Sequence, residues 1–141
     1  IEGGEVPVHD VEIHVDSMLA QLHLLGDRRR LSQALENVLS NATKHSPRGT
    51  PVLVRIQPAQ LSGAAAARIA IIDRGPGISA ELLPRVFERF VSGTRSSGLG
   101  LGLYLARAIV SAHGGSIAMS SSPPQGTQVE ILLPLSAEHP V

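Results

Sequence analysis

Asn37 and Asn41 stand four residues apart, Lys44 and His45 follow them, and further along come Asp73-Arg-Gly75-Pro-Gly77 and the alternating glycines Gly98, Gly100 and Gly102. Side-chain amides offer neutral oxygens to a hydrated Mg2+ ion. A carboxylate at a strand end accepts a hydrogen bond from an exocyclic ring amine, and bare glycine backbone lets N–H groups wrap phosphates. In that order along one chain, the three chemistries complement one another and read as a site for a nucleotide polyphosphate with its metal.

Each piece has an ordinary reading beside the chemical one. At about 100° per residue, Leu31, Leu35, Val38 and Ala42 make one helical stripe, and Asn37, Asn41 and Lys44 cluster along its edge. Two amides and an ammonium at a core boundary need partners or a ligand, although the spacing alone also suits a solvated helix edge. Glu36 falls on another side and is assigned to solvent. Asp73 follows the apolar run Ile69 to Ile72. Ionised, it accepts from the amine of adenine but opposes the carbonyl oxygen of guanine. Sites built on such bonds reject the wrong partner by about 10⁴ or more, which predicts ATP over GTP. Asp-x-Gly is also a common turn; the second glycine, Gly77, adds room for backbone to pass close to a flat ring.

The Gly98, Gly100, Gly102 series opens a helix, where three glycines are costly unless something must approach the backbone. The spacing differs from the dinucleotide G-x-G-x-x-G, and no G-x-x-x-x-G-K-[ST] occurs. Phe87 and Phe90 are expected to anchor a short helix, with Val91 to Ser97 as a mobile lid; Arg89 in the first and Arg95 in the second are expected to reach a γ-phosphate.

These groups need a scaffold, and the sequence alternates strand and helix signals. Val11 to Val15, Gln21 to Leu25, Val52 to Gln57, Ala67 to Ile72, Ile117 to Ser121 and Thr127 to Leu133 are expected strands. The Ala/Gly-rich stretch Ser62 to Ala66 is an expected turn. Asp27 caps a helix from about Leu31 to His45, Ser79 begins a short helix, and Leu99 to His113 forms another, ended by Gly114 and Gly115 with His113 as a cap residue. The result is an α/β sandwich, a mixed sheet with helices on one face.

With 141 residues and 43% hydrophobic content, residues 1–141 are expected to form one domain around one core. Lys+Arg and Asp+Glu both number 12, so no global field draws nucleic acid or an anionic membrane. There are no cysteines, hence no disulfides or thiolate metal sites. No apolar run is of membrane-spanning length. The start at Ile1, without an initiator Met, suggests a piece of a longer protein.

The chain resembles the catalytic and ATP-binding domain of bacterial two-component sensor histidine kinases, within the superfamily that also holds gyrase-type and heat-shock-chaperone ATPases. The likeness covers nearly the whole chain and rests on five motifs in order: Leu35 to His45, Asp73 to Gly77, Phe87 to Phe90, Gly98 to Gly102, and Gly126-Thr127. It implies a Bergerat fold: a mostly antiparallel sheet covered on one face by about three helices, with an ATP lid. It also implies that Asn41 coordinates Mg2+, with Asn37, Lys44 and His45 near the phosphates and Arg89 acting on the γ-phosphate. Asp73 takes the adenine amine, supported by Thr127, with Gly75, Gly77 and Ile78 around the base. Gly98, Leu99, Gly100, Leu101, Gly102 and Leu103 bound the lid and cradle the triphosphate. Arg74 stands where an Asn is frequent, and His45 where a Tyr is frequent. An imidazole changes charge near neutrality, so His45 is expected to give ATP affinity a modest pH dependence.

By the same resemblance the phosphoryl acceptor is a histidine on a separate dimerisation domain. None of His9, His14, His23, His113 or His139 reads as that acceptor. The isolated chain is therefore expected to bind Mg·ATP and do little chemistry alone. Related hydrolases carry a water-activating Glu where Asn37 stands, which points away from hydrolysis. The implied partners are the dimerisation domain of a homodimeric parent and a response regulator, with the domain on the cytoplasmic side of a membrane sensor. Two alternatives stand beside this: an anti-sigma-type serine protein kinase, and a degenerate module that binds proteins without nucleotide.

Overall fold

The computed structural model describes residues 11–16, 26–47, 49–89, 101–121 and 126–135. Five strands and two α-helices follow one another as β1 (Val11–Val15), α1 (Arg28–His45), β2 (Val52–Leu61), β3 (Ala64–Asp73), α2 (Gly102–Ala112), β4 (Ser116–Ser121) and β5 (Thr127–Pro134). The strands form one sheet in the order β1-β2-β3-β5-β4. β1 runs parallel to β2, a pairing that needs a long crossover, and α1 supplies it. The other pairs are antiparallel. β5 thus lies between β3 and β4, and its first residue Thr127 is opposite both Asp73 and Ser121.

α1 forms because an apolar residue recurs every three to four positions and both ends are satisfied. The Asp27 carboxylate accepts from Arg30 N–H at 3.1 Å, and the chain leaves the helix at Ser46, just before Pro47. Ala34, Val38 and Ala42 are its buried face; Ala106 and Val110 are that of α2. Both faces lie over Val52, Val54, Ile69, Ile71, Val129, Ile131 and Leu133 of the sheet. On the opposite sheet face Arg68 is hydrogen-bonded to Glu130 and to Gln57 Oε1, the latter at 2.9 Å.

The helices run antiparallel and are tied at both ends. Near the start of α2, Asn37 Nδ2 donates to the Gly102 carbonyl at 3.2 Å. At the other end the His113 ring accepts from Asp27 N–H through Nε2 at 3.0 Å, while Nδ1 lies 2.8 Å from the Ile109 carbonyl. His113 is the expected cap of α2, and its ring also holds the start of α1. Gly114 and Gly115 close α2 with N–H bonds to Ser111 and Val110, both at 3.0 Å, the expected left-handed ending.

Two expectations change in extent. The Ser62–Ala66 turn is only Ser62-Gly63: Ala64, Ala65, Ala66 and Ala67 pair with Leu61, Gln60, Ala59 and Pro58, and burial of Ala66 and Ala67 overrides the weak strand propensity of alanine. The short helix after Ser79 is a single 3-10 turn, Leu83–Arg85. Pro84 lacks the N–H that an α-helical ladder would need there. The expected strand Gln21 to Leu25, the lid from Val91 to Gly100 with Arg95, and Phe90 lie outside the described residues. No helix among the described residues is long and apolar enough to cross a membrane.

Candidate functional site

Asn37, Asn41 and His45 stand at four-residue intervals on α1 and are half-buried, while Lys44 is exposed. At 1.5 Å per residue they span about 12 Å along the helix. The stripe runs from the first turn of α2 to the end of β3. Asn37 is engaged through both ends of its amide: besides the Nδ2 bond to Gly102, its Oδ1 accepts from Gln33 Nε2 at 2.9 Å. Asn41 accepts from His45 Nδ1 through its backbone carbonyl at 2.8 Å, and its side-chain amide makes no hydrogen bond among the described residues.

At the far end of the stripe is Asp73, 5% exposed. Burial pushes its carboxyl above the ordinary carboxylate range. The Gly75 N–H, electrostatic attraction to His45 and the Thr127 N–H each pull the other way, and the bond from Gly75 measures 2.8 Å. The backbone closes tightly around this group. A Cβ on Gly75 would lie 2.2 Å from the His45 carbonyl oxygen and 3.1 Å from Asp73 Oδ1; one on Gly126 would lie 2.2 Å from the Asp73 carbonyl oxygen. Neither position admits a side chain. The loop continues through Gly77 to Ile78, whose N–H is held by Ser121 Oγ at 2.6 Å.

The first turn of α2 begins at Gly102, preceded by half-buried Leu101, which offers no side-chain cap; Leu103 is also half-buried. Its leading N–H groups point along a helix axis whose positive end faces Asn37. Arg89 lies over the Tyr104 ring at 5.6 Å and Arg107 over Phe87 at 6.0 Å, so the segment carrying Arg89 is fastened to α2.

Of the predicted residues, the α2 start, Asn37, Asn41, His45, Gly75, Asp73 and Thr127 follow one another along this line, while Lys44 is exposed. Gly98, Leu99 and Gly100 lie outside the described residues. Residues 26–137 match the family model described as histidine kinase-, DNA gyrase B-, and HSP90-like ATPase. The chain belongs to this ATPase family. Within the family it is 37% identical over 134 residues to the sensor-like histidine kinase SenX3 of Mycobacterium tuberculosis, covering 92% of this chain and 32% of that protein. It therefore spans about a third of that relative's length. Among solved structures it is similar to the mycobacterial sensor histidine kinase MprB, with TM-score 0.75, 35% identity and coverage of 89% of this chain and 81% of that one. It is also similar to full-length ShkA in complex with AMPPNP, with TM-score 0.74, 27% identity and coverage of 93% and 26%. The mixed sheet with helices on one face is the fold of these kinase catalytic domains.

This ATPase-family site fits a metal that comes with its substrate. No cluster of three or more His, Asp or Glu suited to an ion occurs among the described residues. Mg2+ needs no such cage, because it keeps several waters and is shared with substrate phosphates. The free amide oxygen of Asn41 is a suitable single protein ligand, and the buried acceptor Asp73 suits a base amine.

Sequence reasoning missed Ser121, which sits among three consecutive serines with nothing in composition to single it out. It also missed Gln33, whose four-residue spacing to Asn37 was the available signal, and Tyr104, the ring under Arg89.

Proposed function

We propose that this chain binds Mg·ATP and, as the catalytic domain of a two-component sensor histidine kinase, donates the γ-phosphoryl group to a histidine on a separate dimerisation domain. The observation that carries the reading is the buried Asp73 carboxylate, bounded by Gly75, Thr127 and the end of α1, at the head of the Asn37–Asn41–His45 stripe. The relatives named above are sensor histidine kinases, which favours this reading over a serine kinase or a module without nucleotide.

Asp73 orients the base by accepting from its exocyclic amine, and Thr127 supports the carboxylate. Gly75, Gly77 and Ile78 line the base, and His45 lies beside it. Asn41 holds the Mg2+, which when bound neutralises phosphate charge. Asn37 acts by position, since its amide joins α1 to the α2 start, where the N–H groups of Gly102 and Leu103 meet the phosphates. Gly98, Leu99, Gly100 and Leu101 complete the phosphate cradle. Lys44 and Arg89 supply positive charge to the γ-phosphoryl group as it passes to the histidine nitrogen and ADP leaves. Catalysis is then positioning and charge neutralisation, and no water-activating carboxylate is required. The parent protein is a homodimer that passes the phosphoryl group to a response regulator, with this domain on the cytoplasmic side of the membrane.

The test is incubation of the chain and labelled Mg·ATP with a dimerisation fragment bearing a histidine. Label transferred in an acid-labile, base-stable form supports the proposal. Acid-stable label on serine, or no nucleotide binding at all, contradicts it.

A further inference from the structure

Ser121, the last residue of β4, lies opposite Thr127, and Thr127 lies opposite Asp73. Its hydroxyl accepts from Ile78 N–H at 2.6 Å and donates to the Gly126 carbonyl at 3.2 Å. A hydroxyl has one proton to give, so these contacts fix its rotor. The Gly126 carbonyl and the Thr127 N–H are the two ends of one rigid peptide unit. Ser121 holds the carbonyl end, and the N–H end belongs to Thr127, which pairs with Asp73 across the β3–β5 ladder. In a trans peptide the two groups point opposite ways, which matches the place of β5 between β4 and β3. Rotation of that plane would withdraw a donor from Asp73.

The second contact acts on the loop. Between Asp73 and Ile78 the backbone is outside any strand or helix; its near end is held by Gly75 N–H on Asp73 and its far end by Ile78 N–H on Ser121. One half-buried hydroxyl therefore controls both flanks of the carboxylate. The third flank belongs to α1, where His45 is the titratable group facing Asp73.

We propose that Ser121 is a positioning residue of the nucleotide site: its hydroxyl orients the Gly126–Thr127 peptide and residues 74–78 so that the Asp73 carboxyl is held in place and aimed at the base. The proposal rests on the nucleotide reading above for its purpose, and on the Ser121 contacts and the register of β5 between β3 and β4 for its effect on Asp73.

The experiment follows the Asp73 carboxyl carbon by NMR through a pH titration in the parent chain, Ser121→Ala, and the near-isosteric pair Ser121→Thr and Ser121→Val, alongside titrations with Mg·ATP and Mg·ADP. Loss of the hydroxyl in the Ala and Val variants moves the Asp73 titration to higher pH and weakens both nucleotides equally, about five- to tenfold. Ser121→Thr restores both readings. Equal losses for ATP and ADP are expected because the disturbance is at the base end. An Asp73 titration that is the same in the Thr and Val variants, with equal affinities, overturns the proposal, and this pair decides even if Ser121→Ala fails to fold. Should the parent chain bind no nucleotide, the proposed function fails while the Asp73 titration still decides the role of Ser121.

Discussion

At the scale of single residues, the proposed role of Asp73 sets it opposed demands. Burial favours the neutral acid, while a base amine needs the ionised acceptor. Because the folded state binds this proton more tightly than the unfolded chain, stability falls as pH rises from the ordinary value of 3.8 through the raised folded value. The cost is therefore greater at neutrality than in acid. Urea unfolding of Asp73→Asn should show a stability gain over the parent at pH 7.5 that shrinks as the pH is lowered; a gain that grows on acidification contradicts the assignment. Nucleotide affinity moves the other way. Protonating Asp73 removes the acceptor, so Mg·ATP affinity measured by calorimetry should fall on acidification from neutrality, and Asp73→Asn should weaken it at least tenfold at pH 7.5. Ser46 behaves differently. It is 8% exposed, and its hydroxyl has no hydrogen-bond partner among the described residues. Ser46→Ala should therefore raise unfolding free energy by about 1 kcal/mol, and a loss of similar size would show that the hydroxyl is satisfied in solution.

At the scale of elements, the proposed site depends on how α1 lies against α2 and the end of β3. The site end of the helix pair is tied by Asn37 to Gly102, and the far end by His113 to Asp27. The ring of His113 is packed so closely that a Cβ on Gly26 would lie 2.4 Å from it. His113→Ala removes a cap and an interhelical bond and should cost about 2 kcal/mol in urea unfolding. Since these contacts lie at the end remote from Asp73, Mg·ATP affinity of the folded variant should stay within about twofold of the parent. A large affinity loss without destabilisation would show that the two ends of the helix pair are coupled.

At the scale of the whole molecule, the sheet order brings the site together from segments far apart in sequence. The strand alternation of β1, the period of α1 and its Asp27 cap, the Asp73-x-Gly-x-Gly turn and the ending of α2 were legible because each is set by residues within a few positions of one another. The insertion of β5 between β3 and β4 was not, since it follows from long-range pairing. Nor was the role of Ser121, 43 residues from its partner Ile78, or the bond of the His113 ring to Asp27, 86 residues away. The β2–β3 hairpin was read too short because alanine carries little strand signal, and its pairing is decided by burial.

With a net charge of zero, the molecule has no overall field to gather an anionic nucleotide. Recognition must therefore come from the local groups named above. The most direct test is titration of Mg·ATP into the parent chain, Asn41→Ala and Asp73→Ala, each first shown to be folded by far-UV circular dichroism. The account predicts Mg2+-dependent binding by the parent, loss of that dependence in Asn41→Ala, and binding weakened at least tenfold in Asp73→Ala. Folded variants that both bind as tightly as the parent, with the same Mg2+ dependence, would contradict it.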